Sequence, residues 1–123
     1  MIEFIYHDGL NNTIAALEKR RFRNLQDAFH SLEKLCQLQF NPESPKQVIA
    51  PGKLHRRTQN DIWVIWKVEL MVPKSGLRPN QCPRLWFAVS GSVIAFLCLA
   101  THIDNYDDNT MDRLAEERVT DIF

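Results

Sequence analysis

From Arg84 to His102 the chain runs Arg-Leu-Trp-Phe-Ala-Val-Ser-Gly-Ser-Val-Ile-Ala-Phe-Leu-Cys-Leu-Ala-Thr-His. Two apolar runs flank a Ser-Gly-Ser turn, and the β-formers Trp, Phe, Val and Ile dominate both, which is the signature of a hairpin. The runs contain almost no polar residue. A strand with one wet face alternates, so these two are expected to be central and covered on both faces. A three-residue loop, Val89-Ser90-Gly91 with Gly91 left-handed, is expected to pair Ala88 with Ser92 and to bring Arg84 and His102 to one face. A two-residue Ser90-Gly91 turn would pair Val89 with Ser92 and send them to opposite faces.

The rest of the chain reads as cover for this hairpin. Ile2, Phe4 and Tyr6 alternate along a short strand that is expected to end in a turn at Asp8-Gly9. Ile14, Leu17, Phe22, Leu25, Phe29, Leu32 and Cys36 recur mostly at three- and four-residue steps. That spacing predicts helix from about Thr13 to about Gln39, capped within Asn11-Asn12-Thr13, with a break near Arg23-Asn24. The Lys19-Arg20-Arg21-Phe22-Arg23 cluster is then its wet face. Residues 41–60, with three prolines and Gly52, read as irregular. Even positions from Ile62 to Val72 are all apolar, which predicts one long strand or two short ones with a core face and a mixed face. Pro73 to Pro83 is a polar loop. Asn109 can cap a final helix with Asp112 in the capping-box position, and Met111, Leu114, Ala115, Val119 and Ile122 form its apolar side.

The chain has 123 residues, enough for one domain with one core, and residues 1–123 are taken as such. No apolar stretch approaches the roughly 20 residues of a membrane helix. The start lacks the basic and apolar segments of a secretion signal, and Cys36, Cys82 and Cys98 are too few and too scattered for a disulfide frame or zinc site. A cytoplasmic chain with reduced thiols and no membrane association is expected.

Net charge is zero but unevenly distributed. Residues 46–84 hold eight basic and two acidic side chains, and residues 85–123 hold two basic and seven acidic ones. A basic middle segment of this kind attracts polyanions through its local field, whatever the total charge.

Several segments resemble the RelE/ParE superfamily of bacterial toxins. Lys53-Leu54 matches a basic-Leu element of that family, and Lys67-Val68-Glu69-Leu70-Met71-Val72 a central strand. Arg84-Leu85-Trp86-Phe87-Ala88-Val89 matches a strand opening on arginine, Val93 to His102 a last strand, and Asn105-Tyr106 through Arg118 a terminal helical segment. The resemblance implies an α+β fold: an N-terminal strand and helical region, an antiparallel sheet of about four strands and a short C-terminal helix. It also implies the toxin of a type II toxin–antitoxin system. Some members cleave mRNA, usually on the ribosome, and others inhibit DNA gyrase. The implied partners are a cognate antitoxin, mRNA and the ribosome, in a homodimer or a toxin–antitoxin hetero-oligomer.

Metal-independent RNA cleavage needs a base for the 2′-hydroxyl, an acid for the leaving oxygen and cations on the phosphorane. His55, Arg84, His102 and Tyr106 are the expected catalytic residues, with His55 and His102 as base and acid in either order. Lys53, Arg56, Arg57 and Lys67 are the expected RNA-binding residues. His102, Asp104, Asp107 and Asp108 could be read as hard-metal ligands, but no glycine provides the sharp turn of a calcium loop, and aspartates before a helix are ordinary caps. No metal or cofactor is therefore assigned. The competing class is a binding protein, either a gyrase inhibitor or an inactive member that only binds an antitoxin. It is favoured by the zero net charge and by Thr101-His102 standing where that family carries a lysine pair.

Overall fold

In the computed structural model, which describes residues 1–20 and 22–123, the elements run β1 (Glu3–Tyr6), α1 (Asp8–Glu18), α2 (Leu25–Gln39), β2 (Leu54–Gln59), β3 (Val64–Glu69), β4 (Arg84–Ser90), β5 (Val93–Ala100) and α3 (Asp108–Val119). Single 3-10 turns at Pro51–Lys53 and Pro79–Gln81 precede β2 and β4. The class is α+β, but the sheet has five strands, not four, and is mixed. Its order is β1-β5-β4-β3-β2, with β1 parallel to β5 and every other pair antiparallel. The N-terminal strand makes the difference. The α1–α2 pair carries the chain from β1 at one edge of the sheet to β2 at the other, and β5 then closes against β1 in parallel.

The two hairpin strands are covered on both faces. On one face α1 and α2 bury Leu10, Ile14, Leu25, Phe29 and Leu32 against Leu85, Phe87, Ile94 and Phe96. Phe96 is stacked or edge-on against Phe4, Tyr6, Phe29 and Phe87, with ring centroids 5.0–6.0 Å apart. On the other face α3 packs Ala115 and Val119 over Ile65, Trp86, Ala88, Ala95 and Leu97. Ile65 is fully buried here. That explains why β3 shows apolar residues at odd as well as even positions.

Several local expectations change. Asp8-Gly9 does not turn the chain out of β1; it opens α1. The cap is His7, whose Nδ1 accepts the Gly9 amide at 3.0 Å from an extended backbone, so the helix begins well before Thr13. The helical region is two helices separated by residues 19–24, and the second ends at Gln39 as its periodicity predicts. In the basic cluster there, Lys19, Arg20 and Arg23 are exposed and Phe22 is buried, while Arg21 lies outside the described residues. The segment Leu54–Gln59, read as irregular, is the edge strand β2. The cap of α3 is Asp107, which accepts the Asn109 amide at 3.2 Å, and Asp112 has another role.

The hairpin loop also differs from expectation. Ser90 pairs with Val93, leaving Gly91-Ser92 as a two-residue turn. Gly91 has φ +57° and Ser92 does not share the positive sign, which defines a type II′ turn. The register then shifts between Trp86 and Phe87, where Phe87 faces Phe96 but Trp86 faces Cys98. Leu97 is the extra residue of a bulge. Beyond it Trp86, Arg84, Cys98 and Ala100 share a face, and His102, in the turn after β5, reaches the 79–82 segment that Arg84 also contacts. The bulge performs what the three-residue loop was expected to do.

Candidate functional site

The face beneath the N-terminal half of α3 holds most of the charged chemistry. Cross-strand pairing lines up His55, Lys67, Trp86 and Cys98 in one row, and Glu69, Arg84 and Ala100 in the next. Arg57 is the bulged residue of β2, between Arg56 and Thr58, and it reaches the same side. There it makes a forked contact with Asp112 of α3: Nη2 donates to Oδ2 at 2.9 Å and Nε to Oδ1 at 3.1 Å. The Trp86 indole N–H donates to Asp112 Oδ1 at 2.8 Å. One turn earlier on α3, Asp108 accepts Lys67 Nζ at 2.9 Å, and that ammonium lies 5.6 Å from the Trp86 ring centre. Tyr106 stands edge-on against Trp86 at 5.9 Å.

Arg84 anchors the end of this face. Its Nη2 is 3.5 Å from Glu69 Oε1, and its Nη1 donates to the Cys82 carbonyl and, at 3.4 Å, to that of Pro79. His102 reaches the same segment: its Nδ1 lies 3.0 Å from the Gln81 carbonyl oxygen. A carbonyl only accepts, so Nδ1 carries the proton and Nε2 of the neutral ring is left with a free lone pair. Burial pushes the Tyr106 phenol up from its ordinary value. Arg84 opposes this, while Asp108 and Glu69 add to it, so the phenol remains a proton donor at neutral pH. Burial would also raise the Asp112 carboxyl, but hydrogen bonds from Arg57 and Trp86 outweigh that and hold it below the usual range.

The structure brings Arg84, Tyr106, Lys67 and Arg57 together under α3, and sets His102 beside Arg84. It does not unite the two histidines. His55 lies on the exposed edge strand. It is three strand spacings of about 4.8 Å across from His102, and some four residues of about 3.4 Å along, which puts their backbones on the order of 20 Å apart. They cannot act as base and acid on one phosphodiester in this arrangement. The basic segment is divided by strand alternation. Arg56 pairs with Trp66, on the α2 side of the sheet, and its Nη1 donates to Gln59 Oε1 at 3.3 Å. Lys53 sits in the preceding turn with Nζ 4.0 Å from Met71 Sδ. The basic middle and the acidic tail do meet in space, through Lys67–Asp108 and Arg57–Asp112.

Glu69, Asp108 and Asp112 are the members that sequence reasoning did not assign to the site. Glu69 could have been found from its place two residues after Lys67 on the mixed face of β3. Asp112 could not, because its capping-box spacing offered a simpler reading. The four residues considered as metal ligands point to separate tasks: Asp104 accepts the Thr101 amide at 2.8 Å, Asp107 caps α3, Asp108 pairs with Lys67 and His102 contacts Gln81.

Compared with known proteins, the chain matches no family model, no curated protein and no solved structure.

Proposed function

We propose that this protein is a RelE/ParE-like toxin of a type II toxin–antitoxin system, and that it cleaves mRNA without a metal or cofactor at the Arg84 end of the sheet. The observation that carries the reading is Arg84 at the close of the central hairpin, held by Glu69 and the 79–82 turn, with His102 hydrogen-bonded to that same turn and the Tyr106 phenol within the field of Arg84. A fixed cation, a protonated phenol and an imidazole are thus available at that end of the sheet. The order of elements, one strand, two helices, four strands and a terminal helix, supports it, because it is the order the family resemblance implies.

In this proposal His102 Nε2 takes the proton from the 2′-hydroxyl, which attacks the adjacent phosphorus. Arg84, steadied by Glu69, stabilises the charge growing on the phosphoryl oxygens, and Tyr106 donates its proton to the departing 5′-oxygen. The products carry a 2′,3′-cyclic phosphate and a free 5′-hydroxyl. His55 and Arg56 contribute to RNA affinity from the β2 edge, and a cognate antitoxin in the cytoplasm restrains the activity.

The test is mRNA integrity in cells expressing wild type, Arg84→Ala, His102→Ala and Tyr106→Phe, with folding checked by circular dichroism. Loss of Arg84 should slow cleavage by about 10²–10³, and loss of His102 or the Tyr106 hydroxyl by about 10²–10⁴. Folded mutants that cut at the wild-type rate refute the assignment. A second reading, a member that binds its antitoxin or gyrase and cuts nothing, is favoured by the internal pairing of Arg57, Lys67 and Arg84. Intact mRNA together with stalled gyrase would select it.

A further inference from the structure

The N-terminal half of α3 meets the sheet through two ion pairs beside the partly buried Met111, although a helix that merely covers a sheet is held as well or better by apolar contact alone. Its buried apolar anchors, Ala115 and Val119, both lie in the second half. In the first half, Asp108 and Asp112 sit one helical turn apart on the same side. They take Lys67 and Arg57, the two cations of β2 and β3 on that face, while Trp86 donates its indole N–H to Asp112. The connection from the sheet to α3 is exposed at residues 102–105, and Asn105 adopts a left-handed backbone with φ +48°. Two carboxylates spaced along one line, over two cations and an aromatic ring, resemble two successive phosphates of a single strand with a base between them.

We infer that α3 is a clasp over a single-stranded RNA site formed by Arg57, Lys67 and Trp86, with Asp108 and Asp112 standing in place of two backbone phosphates. The inference rests on the ribonuclease reading and adds its regulation: RNA enters by displacing the first half of α3. Arg57 and Lys67 then exchange carboxylates for phosphates, and a base stacks on the uncovered indole. The apolar second half keeps the helix attached, so the exchange is reversible.

The test uses the full chain and a fluorescent 2′-O-methyl oligonucleotide of about 12 residues, within the usual site size of single-strand binders. Without a free 2′-hydroxyl it can be bound but not cut. The double variant Asp108→Asn with Asp112→Asn should bind it roughly tenfold or more tightly than wild type, because an occluded state lowers apparent affinity by the competent fraction. In the wild type, saturating oligonucleotide should speed hydrogen exchange at the amides of residues 108–115. Should the double variant fail to fold, Asp108→Asn alone and the wild-type exchange data decide. Binding that leaves α3 protection unchanged or raised overturns the clasp, and so does unaltered affinity in the folded variants. If cleavage of ordinary RNA persists in that case, the ribonuclease reading survives; if the wild type neither binds nor cuts, both fall.

Discussion

Asp112 serves both Arg57 and the Trp86 indole from a position only 9% exposed. Removing it leaves a guanidinium and an indole N–H without their acceptor. Asp112→Ala should therefore cost about 2–3 kcal/mol in urea unfolding, as expected when one partner of a largely buried charged hydrogen bond is lost. The pH dependence follows from the direction of its shift. A carboxyl held below its unfolded value contributes stability that is complete above that value, near 4, and is lost as pH falls through the folded value. Wild type should thus lose stability below about pH 4 more steeply than Asp112→Asn, measured as urea midpoints across that range. The thiols make a separate prediction. Burial is the main cause that pushes Cys36 and Cys98 up to about 12, and Cys82 is raised for the same reason. Iodoacetamide at neutral pH should leave the native protein unmodified and label all three cysteines once it is denatured.

Among the elements, the β4–β5 turn gives the clearest test. Gly91 meets no atom within 4 Å of where a Cβ would stand, so any cost of Gly91→Ala comes from its positive φ alone. A loss of about 1–2 kcal/mol is expected, read from the urea midpoint, with the fold unchanged. The elements were largely legible in the sequence. The central hairpin, the end of α2 and the existence of α3 all followed from periodicity and breakers. What periodicity could not reveal was set by single side chains or by distant contacts. The imidazole of His7 starts α1 at a place where Asp8-Gly9 reads as a turn. Proline and basic residues masked β2, whose only strand neighbour is β3. In the site, Arg84, His102 and Tyr106 were legible as candidates, and the structure ties Arg84 and His102 to one turn, residues 79–82, with Tyr106 edge-on against Trp86. The distance from His55 and the role of Asp112 depend on strand order and on how α3 docks, neither of which leaves a local trace.

For the molecule as a whole, β1 is the sole strand on the outer side of β5 and joins it in parallel. Deleting residues 1–6 would turn β5, buried along Ile94–Ala100, into an open apolar edge. Such an edge pairs with other chains, so the truncated protein should elute as oligomer or aggregate on size exclusion where the full chain does not.

The bulge at Leu97 acts as a phase corrector. The type II′ turn sets the two strands half a pleat out of step for an Arg84–His102 partnership, and one extra residue restores the step. Its carbonyl is tied by Arg118 Nη1 at 2.7 Å, so the α3 helix clamps the correction in place. Excising Leu97 would merely close the bulge, leaving Phe87 opposite Phe96 and Trp86 opposite Cys98, so every residue after it would keep its face. One residue added to the regular ladder between Cys98 and Ala100 would do the opposite, turning the end of the strand and His102 toward the other face. The pairing is therefore tuned by a count of residues, and an insertion in a strand that carries none of the proposed site residues would part Arg84 from His102 without touching either.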